Sequence, residues 1–217
     1  MYPKLKRPFD ILSAVILLIL AAPLMLLIAA AVRLTMGRPV LFRQVRPGLN
    51  ERLFTCFKFR TMNEARDQKG RLLSDVQRLT RLGQLLRRTS LDELPQLWNI
   101  LRGDLSVVGP RPLLERYLPY YTDEERRRHC VRPGLTGWAQ IHGRNWVPFD
   151  ERLAMDVWYV EHVSWYLDFR IVVATLWIVL MRRGITADGH VAALPLDVPL
   201  DVQRYARCRQ LIKTERQ

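Results

Sequence analysis

Two adjacent carboxylates, Asp92 and Glu93, are the residues of this sequence best suited to chemistry. They stand in the segment 89–94, which predicts the start of a helix that continues to about Ile100. Neighbouring carboxylates of this kind can act in catalysis. A structural interpretation stays open beside it, because Ser90 and Glu93 fit a capping box and acidic residues in a first turn interact favourably with the helix dipole.

A predicted β-hairpin brings two cations close enough to hold a phosphate. Alternating apolar residues predict strands over 40–45 and 53–60, and turn residues at 47–50 join them. Lys58 and Arg60 are two positions apart on the second strand, so they lie on the same face. A solvated strand face explains this spacing equally well.

Arg111 is a further candidate cation, since Pro110 and Pro112 flank it. The two prolines restrict the backbone on both sides, which predicts a stiff loop that presents the guanidinium. Proline and glycine also occur in ordinary turns, so a plain turn remains an alternative. By contrast, the three arginines at 126–128 follow three acidic residues and predict a solvated helix face.

A helix predicted from Asp150 to about Val163 carries another acid, Asp156, among apolar neighbours on one face. Asp150 is the expected cap of this helix. Asp156 is either a functional acid or the partner of Arg152 in a salt bridge at the helix edge. The periodicity of the sequence fits both interpretations.

The elements that position these residues begin with an apolar run over 11–32, which as a helix of roughly 33 Å is long enough to cross a bilayer. Pro23 lies at its centre and predicts a kink. Basic residues flank the run on both sides. This favours a re-entrant helix over a spanning one, whose cations normally lie on one side. A second apolar run, 171–181, is too short to span and suits a core helix or a helix in the membrane interface.

The whole chain has 217 residues and a net charge of +13, which predicts an anionic partner: nucleic acid, an acidic membrane surface or a phosphorylated substrate. Its 49% of apolar residues excludes wholesale disorder. Cys56, Cys130 and Cys208 make neither a disulfide framework nor a zinc site and indicate a reducing compartment. A cleaved signal peptide is disfavoured, because the apolar run is long and basic sequence follows it at once.

Taken in order, these segments resemble the bacterial sugar transferases, the small monotopic phosphoglycosyl transferases that begin the assembly of lipid-linked glycans. The resemblance covers about residues 6–184. Any single motif would be weak, but the ordered set is highly specific. Its members are the segments 6–10, 58–62, 89–96, 108–112, 132–138, 143–145, 156–160 and 167–168.

The family implies an α+β fold, mainly helical, with an N-terminal re-entrant membrane helix (1–36) broken at Pro23. It also implies a cytosolic catalytic domain (37–186) with a short β-hairpin and interfacial amphipathic helices. Residues 187–217 then form a C-terminal extension. The helix-break-helix is expected to enter one leaflet from the cytoplasmic face of the bacterial inner membrane. One departure bears on the break, because the family often has Ser-Pro where this chain has Ala22-Pro23.

The reaction that the resemblance implies moves a phosphosugar from a nucleoside diphosphate sugar, usually a UDP-sugar, to a polyprenol phosphate such as undecaprenyl phosphate. Asp92 matches the family's nucleophile and Glu93 its partner in a Mg²⁺ site. Mg²⁺ would reduce the repulsion between a carboxylate and a phosphate. Asp156 and Asp168 match polar residues of the site. The cations that match phosphate contacts are Lys58, Arg60, Arg87, Arg88, Arg111 and Arg132.

Two other classes of protein explain part of the sequence. A basic membrane-surface protein without catalysis would bind anionic lipid and explain the charge and the apolar run, but it needs no pair at Asp92 and Glu93. A nucleic-acid-binding protein would explain the charge alone. It has no use for 11–32, and no recognisable nucleic-acid-binding module is present, so nucleic acid is not the expected partner. The sugar, the glycan pathway and a homo-oligomeric state stay open.

Overall fold

The computed structural model describes residues 2–143 and 147–181. The predicted C-terminal extension, 187–217, lies outside the described residues, as do two residues of the expected motif 143–145. The described part is mainly helical and contains two small pairs of strands. The expectation of a mainly helical fold is thereby confirmed.

The first helix, α1 (Tyr2–Met36), is one helical element that contains both Pro8 and Pro23. The chain is thus helical on both sides of Pro23, and the expected break in the direction of the helix there stays a prediction. A proline inside a helix removes one backbone donor and clashes with the preceding turn, which bends the helix or ends it. The part Leu5–Met36 is long and apolar enough to cross a membrane by length and composition.

An antiparallel hairpin follows, made of β1 (Leu41–Pro47) and β2 (Leu53–Phe59). Both predicted strands are confirmed, with small shifts at their ends. The connection between them contains a 3₁₀ turn at Leu49–Glu51. Arg126 donates to both carboxylate oxygens of Glu51, which ties the tip of the hairpin to the second half of the domain.

Three helices lead to the candidate site. They are α2 (Asp75–Arg78), α3 (Arg81–Thr89) and α4 (Gln96–Arg102). A 3₁₀ turn at Leu91–Glu93 separates α3 from α4. The helix predicted after residue 89 is thus present as α4, and its approach is a tighter turn than expected.

A second sheet pairs β3 (Ser106–Val108) with β4 (Gly134–Thr136) in parallel. This pair could not be predicted from the sequence, because a three-residue strand is too short to show alternation. Glycine permits the close approach of the two strands, since a Cβ on Gly134 would lie 2.1 Å from the backbone nitrogen of Gly109.

The second half of the domain is helical. It contains α5 (Asp123–Arg126), α6 (Trp138–Ile141), α7 (Phe149–Glu161) and α8 (Trp165–Leu180), with 3₁₀ turns at Glu115–Tyr120 and Arg127–Cys130. The helix predicted from Asp150 is confirmed as α7, although Pro148 occupies the capping position instead of Asp150. On α8 Ile171 is fully buried and Phe169 is exposed, so the second apolar run has a core face and an outer face.

Both arms of α1 pack against this one domain. On the N-terminal arm, Ala14 is buried against Leu97 of α4. On the C-terminal arm, Ile28 and Val32 join a core cluster with residues of β2 and α3. Between the two arms, Leu20 is 71% exposed. The ends of α1 therefore contact the protein while the middle presents apolar side chains outward.

Two polar residues near the start of α1 reinforce this packing. Arg7 donates from Nη1 to the carbonyl of Ile100 at 2.6 Å and from Nη2 to that of Leu101 at 2.9 Å. The buried Asp10 carboxylate accepts at 3.0 Å from the Ser106 hydroxyl and at 3.0 Å from the next backbone amide. The first segment of the family motif set thus attaches α1 to α4 and β3.

Candidate active site

The chain turns sharply just before the two carboxylates. Helix α3 ends at Ser90, whose φ of 56° is left-handed, and the following 3₁₀ turn carries Asp92 and Glu93. Ser90 makes no side-chain capping hydrogen bond, so the expected capping box is wrong. The Glu93 amide donates instead to the Ser90 carbonyl at 3.2 Å. This non-glycine residue in a costly backbone conformation places both carboxyl groups among side chains from other elements.

Glu93 is held by two cations that come from distant parts of the chain. Its Oε1 accepts from Lys58 Nζ at 2.5 Å and from Arg111 Nη2 at 2.7 Å. Burial by itself would raise the pKa of Glu93, but Arg111 and Lys58 outweigh burial and hold that pKa far below its usual range. Glu93 is therefore ionised at neutral pH.

Asp92 has a different environment although it is the adjacent residue. It is 8% exposed. Burial raises the pKa of Asp92 to about 6, the negative charge of Glu93 adds to the rise, and Lys58, Arg87 and Arg111 oppose it. A carboxylate with this pKa is mostly ionised at neutral pH and is more basic than an ordinary aspartate, which suits a nucleophile.

A close helix contact holds Arg87 near this pair. Gly83 of α3 lies against Thr61, and a Cβ there would sit 1.9 Å from the Thr61 carbonyl oxygen. One turn later, Arg87 Nε donates to Thr61 Oγ1 at 3.1 Å. Burial lowers the pKa of Arg87, and the charge of Asp92 opposes that change. The side chain of the next residue, Arg88, is exposed and has no hydrogen bond or ion pair with the described residues.

The hairpin directs its two candidate cations to different partners. Lys58 reaches Glu93. Arg60 donates from Nε to the carbonyl of Met62 and from Nη1 to that of Arg38, both at 3.0 Å. The structure therefore brings Lys58 to the carboxylate pair, whereas Arg60 binds backbone at the base of the hairpin.

Asn99 fixes the strand that carries Lys58 to the helix that follows Glu93. The Asn99 side chain is fully buried. Its Oδ1 accepts from the Phe57 amide at 3.1 Å, and its Nδ2 donates to the Thr55 carbonyl at 2.8 Å. The role of Asn99 could not be predicted, because an asparagine that bonds a neighbouring strand looks like a surface asparagine in the sequence.

Arg111 is presented by the loop that leaves β3. The Gly109 amide donates to the Thr136 carbonyl, and the Gly134 amide donates to the Pro110 carbonyl, both at 2.9 Å. These bonds continue the pairing of β3 with β4 into the loop. The flanking prolines predict a restricted backbone at Arg111. The structure adds backbone hydrogen bonds on this loop, and these have no signature in the sequence.

Asp156 pairs with an arginine that was expected on the surface. Arg128 is 2% exposed and donates to Asp156 Oδ2 from Nη2 at 2.6 Å and from Nε at 3.2 Å. The solvated face predicted for Arg128 is therefore wrong, and Arg128 takes the place expected for Arg152. A buried carboxylate requires a charged partner. Arg128 provides it and also donates from Nη2 to the Arg111 carbonyl at 2.7 Å.

Two other residues of the expected site hold helices in place. Arg132 Nε donates at 2.9 Å to the carbonyl of Gly103, just after α4. Asp168 pairs with Lys6 near the start of α1, and it accepts from the Tyr159 hydroxyl at 2.7 Å. In this structure Arg132 supports α4, and Asp168 joins α8 to α1 and α7.

The carboxylate pair fits a Mg²⁺ ion that is bound together with a substrate. Mg²⁺ is usually held by one or two carboxylates plus substrate phosphates. Asp92 and Glu93 would supply the carboxylates, and the hydrogen bonds of Glu93 to the described residues use Oε1 and leave Oε2. Within residues 2–143 and 147–181 no group of three or more His, Cys, Asp or Glu side chains is arranged to hold a metal ion. A Mg²⁺ ion at this pair would therefore need further ligands from the substrate.

An apolar surface covers the outer side of α1 and α8. The rings of Phe9 and Trp165 pack edge to face with centroids 5.2 Å apart, which joins the two helices. An exposed apolar surface of this extent is typical of an interaction site, and its aromatic side chains suit a membrane interface. The large apolar side chains that are exposed there include Leu5, Leu12, Ile19, Leu20, Leu26, Leu27, Tyr166, Phe169 and Trp177.

Known proteins similar to this chain identify its family. The chain is 53% identical over 189 residues to the uncharacterized sugar transferase EpsL of Bacillus subtilis, a match that covers 87% of this chain and 94% of that protein. It is 42% identical over 196 residues to the exopolysaccharide production protein ExoY of Rhizobium meliloti, with 82% and 87% of the two chains covered.

A third relative is the undecaprenyl-phosphate galactose phosphotransferase of Salmonella typhimurium. The identity is 38% over 197 residues, which is 83% of this chain and 41% of that protein. The chain thus spans less than half the length of this relative. The family model described as bacterial sugar transferase matches residues 1–182. The chain therefore belongs to the bacterial sugar transferase family and is an enzyme of the sugar-phosphate transferase class.

Proposed function

We propose that this enzyme transfers a phosphosugar from a UDP-sugar to a polyprenol phosphate in two steps, with Asp92 as the covalent nucleophile. The observation that carries the proposal is the pair of unlike carboxylates. Asp92 is buried and its pKa is raised to about 6, whereas Glu93 is ionised between Lys58 and Arg111. The name of the Salmonella relative, an undecaprenyl-phosphate galactose phosphotransferase, supports the class of acceptor.

In the first step an Asp92 carboxylate oxygen attacks the phosphorus that bears the sugar. The bond from this phosphorus to the bridging oxygen breaks, and UMP leaves with the bonding electrons. In the second step an oxygen of the polyprenol phosphate attacks the same phosphorus. The bond to Asp92 breaks and the carboxylate returns, so the products are UMP and polyprenol diphosphate sugar.

The cations around the pair suit a diphosphate. Lys58 and Arg111 lie on Glu93, and Arg87 is near Asp92. If a substrate phosphate displaced Lys58 or Arg111 from Glu93, it would accept a charge-assisted hydrogen bond from that cation. Arg60, Arg88 and Arg132 stay predictions as phosphate contacts.

Mg²⁺ is the cofactor that we infer, held by Glu93 and Asp92 together with the donor phosphates. When bound, it would lower the charge repulsion between the carboxylate and the phosphate that approaches it. The side chains of the protein would position the reacting groups and neutralise their charge. Lys58 and Arg111 orient Glu93, and burial sets the basicity of Asp92.

We also propose a re-entrant placement of α1 from the cytoplasmic face of the bacterial inner membrane. Both arms of α1 pack on one domain while Leu20 between them is exposed, which supports entry and exit on the same side. Basic residues at both flanks of the apolar run would bind anionic lipid headgroups. The exposed aromatic residues of α8 would lie in the same interface.

The test is a two-part assay on the full chain in detergent. A panel of UDP-sugars is first offered without polyprenol phosphate, and UMP release is measured. The expected result is release of about one UMP per enzyme, together with a phosphosugar adduct on the peptide that contains Asp92. Polyprenol phosphate should then discharge the adduct and start turnover.

Matched variants separate the roles of the two acids. Asp92→Asn should abolish both UMP release and the adduct. Glu93→Gln should be severely impaired and partly recover at high Mg²⁺. The controls are Asp123→Asn and Glu124→Gln, two exposed acids of α5 that should keep normal activity. An adduct on another peptide, or turnover by Asp92→Asn, would contradict the proposed nucleophile.

A further inference from the structure

We propose that Asp156 is a positioning residue that acts through Arg128 on the loop of Arg111, and that it does not touch the substrate. The inference rests on the proposed function, because it takes Arg111 as a residue that meets the substrate phosphates. It concerns the carboxylate on α7 that the family resemblance placed among the polar residues of the site.

Three contacts in series connect Asp156 to the carboxylate pair. Asp156 Oδ2 accepts two hydrogen bonds from Arg128, at 2.6 and 3.2 Å. Arg128 Nη2 donates to the Arg111 carbonyl oxygen at 2.7 Å. The guanidinium of Arg111 then donates to Glu93 Oε1 at 2.7 Å. The path from Asp156 to Glu93 thus passes through the backbone of Arg111 and continues through its side chain.

Burial explains why this path can fix a position. The side chains of Arg128 and Asp156 are 1% and 5% exposed, whereas the side chain of Arg111 is 46% exposed. The pair is thus inside the protein, where a charged hydrogen bond is not weakened by water. Arg111 is the exposed end that a substrate can reach.

The contact to a carbonyl oxygen controls where the Arg111 side chain begins. Arg128 fixes the peptide that follows Arg111, and the Gly134 amide fixes the peptide that precedes it by bonding the Pro110 carbonyl. With one hydrogen bond on each side, the Cα–Cβ bond of Arg111 has a set direction. Loss of the Arg128 bond would release one of these two constraints without removing the guanidinium.

A buried ion pair is weak evidence for a role in stability. Replacing a buried ion pair by apolar residues of similar volume is often neutral or stabilising. Arg128 also lies over the ring of Tyr121, with its Cζ 5.8 Å from the centroid, and a methionine makes favourable contacts with an aromatic ring. Arg128→Met with Asp156→Leu is therefore the variant that removes the positioning bond and keeps the packing. We name it the apolar-pair variant.

The first measurement is hydrogen exchange of the full chain in detergent, without substrate. The apolar-pair variant should keep its melting temperature close to that of the parent, while peptides that cover residues 109–113 exchange faster. The control is Arg127→Met, which removes the adjacent exposed arginine and should leave exchange in this loop unchanged. Unchanged exchange at 109–113 in the apolar-pair variant would overturn the proposal.

The second measurement is a double-mutant cycle with Arg111→Lys, scored by kcat/KM for UMP release. The apolar-pair variant should lose about 10- to 100-fold in the parent background, because small misplacements of a catalytic contact cost that much. In the Arg111→Lys background the further loss should be about threefold or less, since the residue being positioned is already impaired. An equal loss in both backgrounds would show an unrelated structural role and overturn the proposal.

A single variant covers the case in which the apolar pair folds poorly. Asp156→Asn keeps the shape of the side chain and weakens its ion pair with Arg128. In the same double-mutant cycle it should lower kcat/KM more in the parent background than in the Arg111→Lys background. If the parent enzyme releases no UMP with any UDP-sugar, the proposed function fails. The exchange measurement still decides whether Arg128 and Asp156 hold the loop.

Discussion

Asp92 and Glu93 are consecutive residues whose carboxyl groups respond to opposite surroundings. Glu93 lies between Lys58 and Arg111, which hold its pKa far below the usual range although burial acts in the other direction. Asp92 is turned into the protein, where burial raises its pKa to about 6. Two acids whose pKa values diverge in this way are suited to different tasks in one reaction.

The pH dependence of the reaction should report Asp92. Its attack requires the carboxylate, so kcat/KM for UMP release should fall about tenfold for each pH unit below about 6 and level off above it. Glu93 stays ionised across this range and adds no step. The measurement is UMP release between about pH 5 and pH 8. A profile that is flat through pH 6 would contradict the assignment.

Removing the charge of Asp92 should stabilise the protein at neutral pH and above. The folded state binds this proton more tightly than the unfolded chain, so stability falls as the pH rises from about 4 to 6. We expect Asp92→Asn to raise the free energy of unfolding by about 1–3 kcal/mol at pH 8 and to have little effect near pH 4.

Thermal unfolding of parent and variant in detergent at the two pH values checks this prediction. Asp123→Asn, at an exposed position of α5, serves as the control and should change the melting temperature little at either pH. A variant that is less stable than the parent at pH 8 would show that Asp92 is a structural residue.

Some residues could be placed correctly from the sequence and others could not, for physical reasons. Lys58, Arg87 and Arg111 were identified from motifs, and the structure places them around the carboxylate pair. Arg128 was assigned to the surface, because its burial depends on a carboxylate 28 positions away that needs a partner. Ser90 has the residue type of a cap, but as the left-handed end of α3 it cannot act as one.

At the scale of elements, the position of α3 depends on a glycine, Gly83, at its contact with the preceding segment. Gly83 allows the helix to lie against the Thr61 backbone, and this contact puts Arg87 within reach of the Thr61 hydroxyl. Glycine inside a helix is normally a disadvantage, since alanine there is more stable by about 1 kcal/mol. At Gly83 we expect the opposite, with alanine less stable than glycine.

We expect Gly83→Ala to destabilise the protein and to lower kcat/KM for UMP release, because the added Cβ would lie 1.9 Å from a backbone oxygen and α3 must shift with Arg87. A stability loss of roughly 1–3 kcal/mol is typical of such overpacking. Gln84→Ala, at an exposed position of the same helix, is the control and should be neutral or slightly stabilising. If Gly83→Ala behaves like the control, the contact with Thr61 does not constrain α3.

The elements that could be predicted are those with a local signature. The hairpin was found from alternation within each strand, and α7 from its periodicity. The pair of β3 and β4 depends on the approach of Gly109 to Gly134 and has no local pattern. A proline is a strong local signal too, and Pro23 lies inside α1 with helix on both sides of it.

At the scale of the whole molecule, the placement of α1 decides on which side of the membrane the chain begins. Its two arms contact one domain, through Ala14 on one arm and Val32 on the other. A helix that spanned the bilayer would have to leave one of these contacts. The N-terminus and the catalytic domain should therefore lie on the same side.

Cysteine labelling in intact cells tests this prediction. Cys130 is exposed on the catalytic domain and serves as the internal reference, while Cys56 is buried. One variant keeps Cys130 and has Cys208→Ser. A second variant has both changed to serine and a cysteine added at the N-terminus. A membrane-impermeant maleimide should label both variants after permeabilisation and neither before it.

The outcomes separate the two parts of the topology. Labelling of the N-terminal cysteine from outside, with Cys130 protected, would establish a spanning helix. Labelling of both from outside would keep the re-entrant helix and place the domain on the other face of the membrane.

The contacts of α1 also bear on the order in which parts of the protein form during synthesis. Lys6 meets Asp168, a residue that the ribosome adds 162 positions later, and Arg7 binds carbonyls 93 and 94 positions away. During synthesis the apolar helix thus emerges long before its polar anchors exist. With α1 in the membrane as proposed, lipid would receive α1 first, and the catalytic domain would then assemble against it. A nascent chain released before α8 would keep its membrane helix and lack the carboxylate that pairs with Lys6.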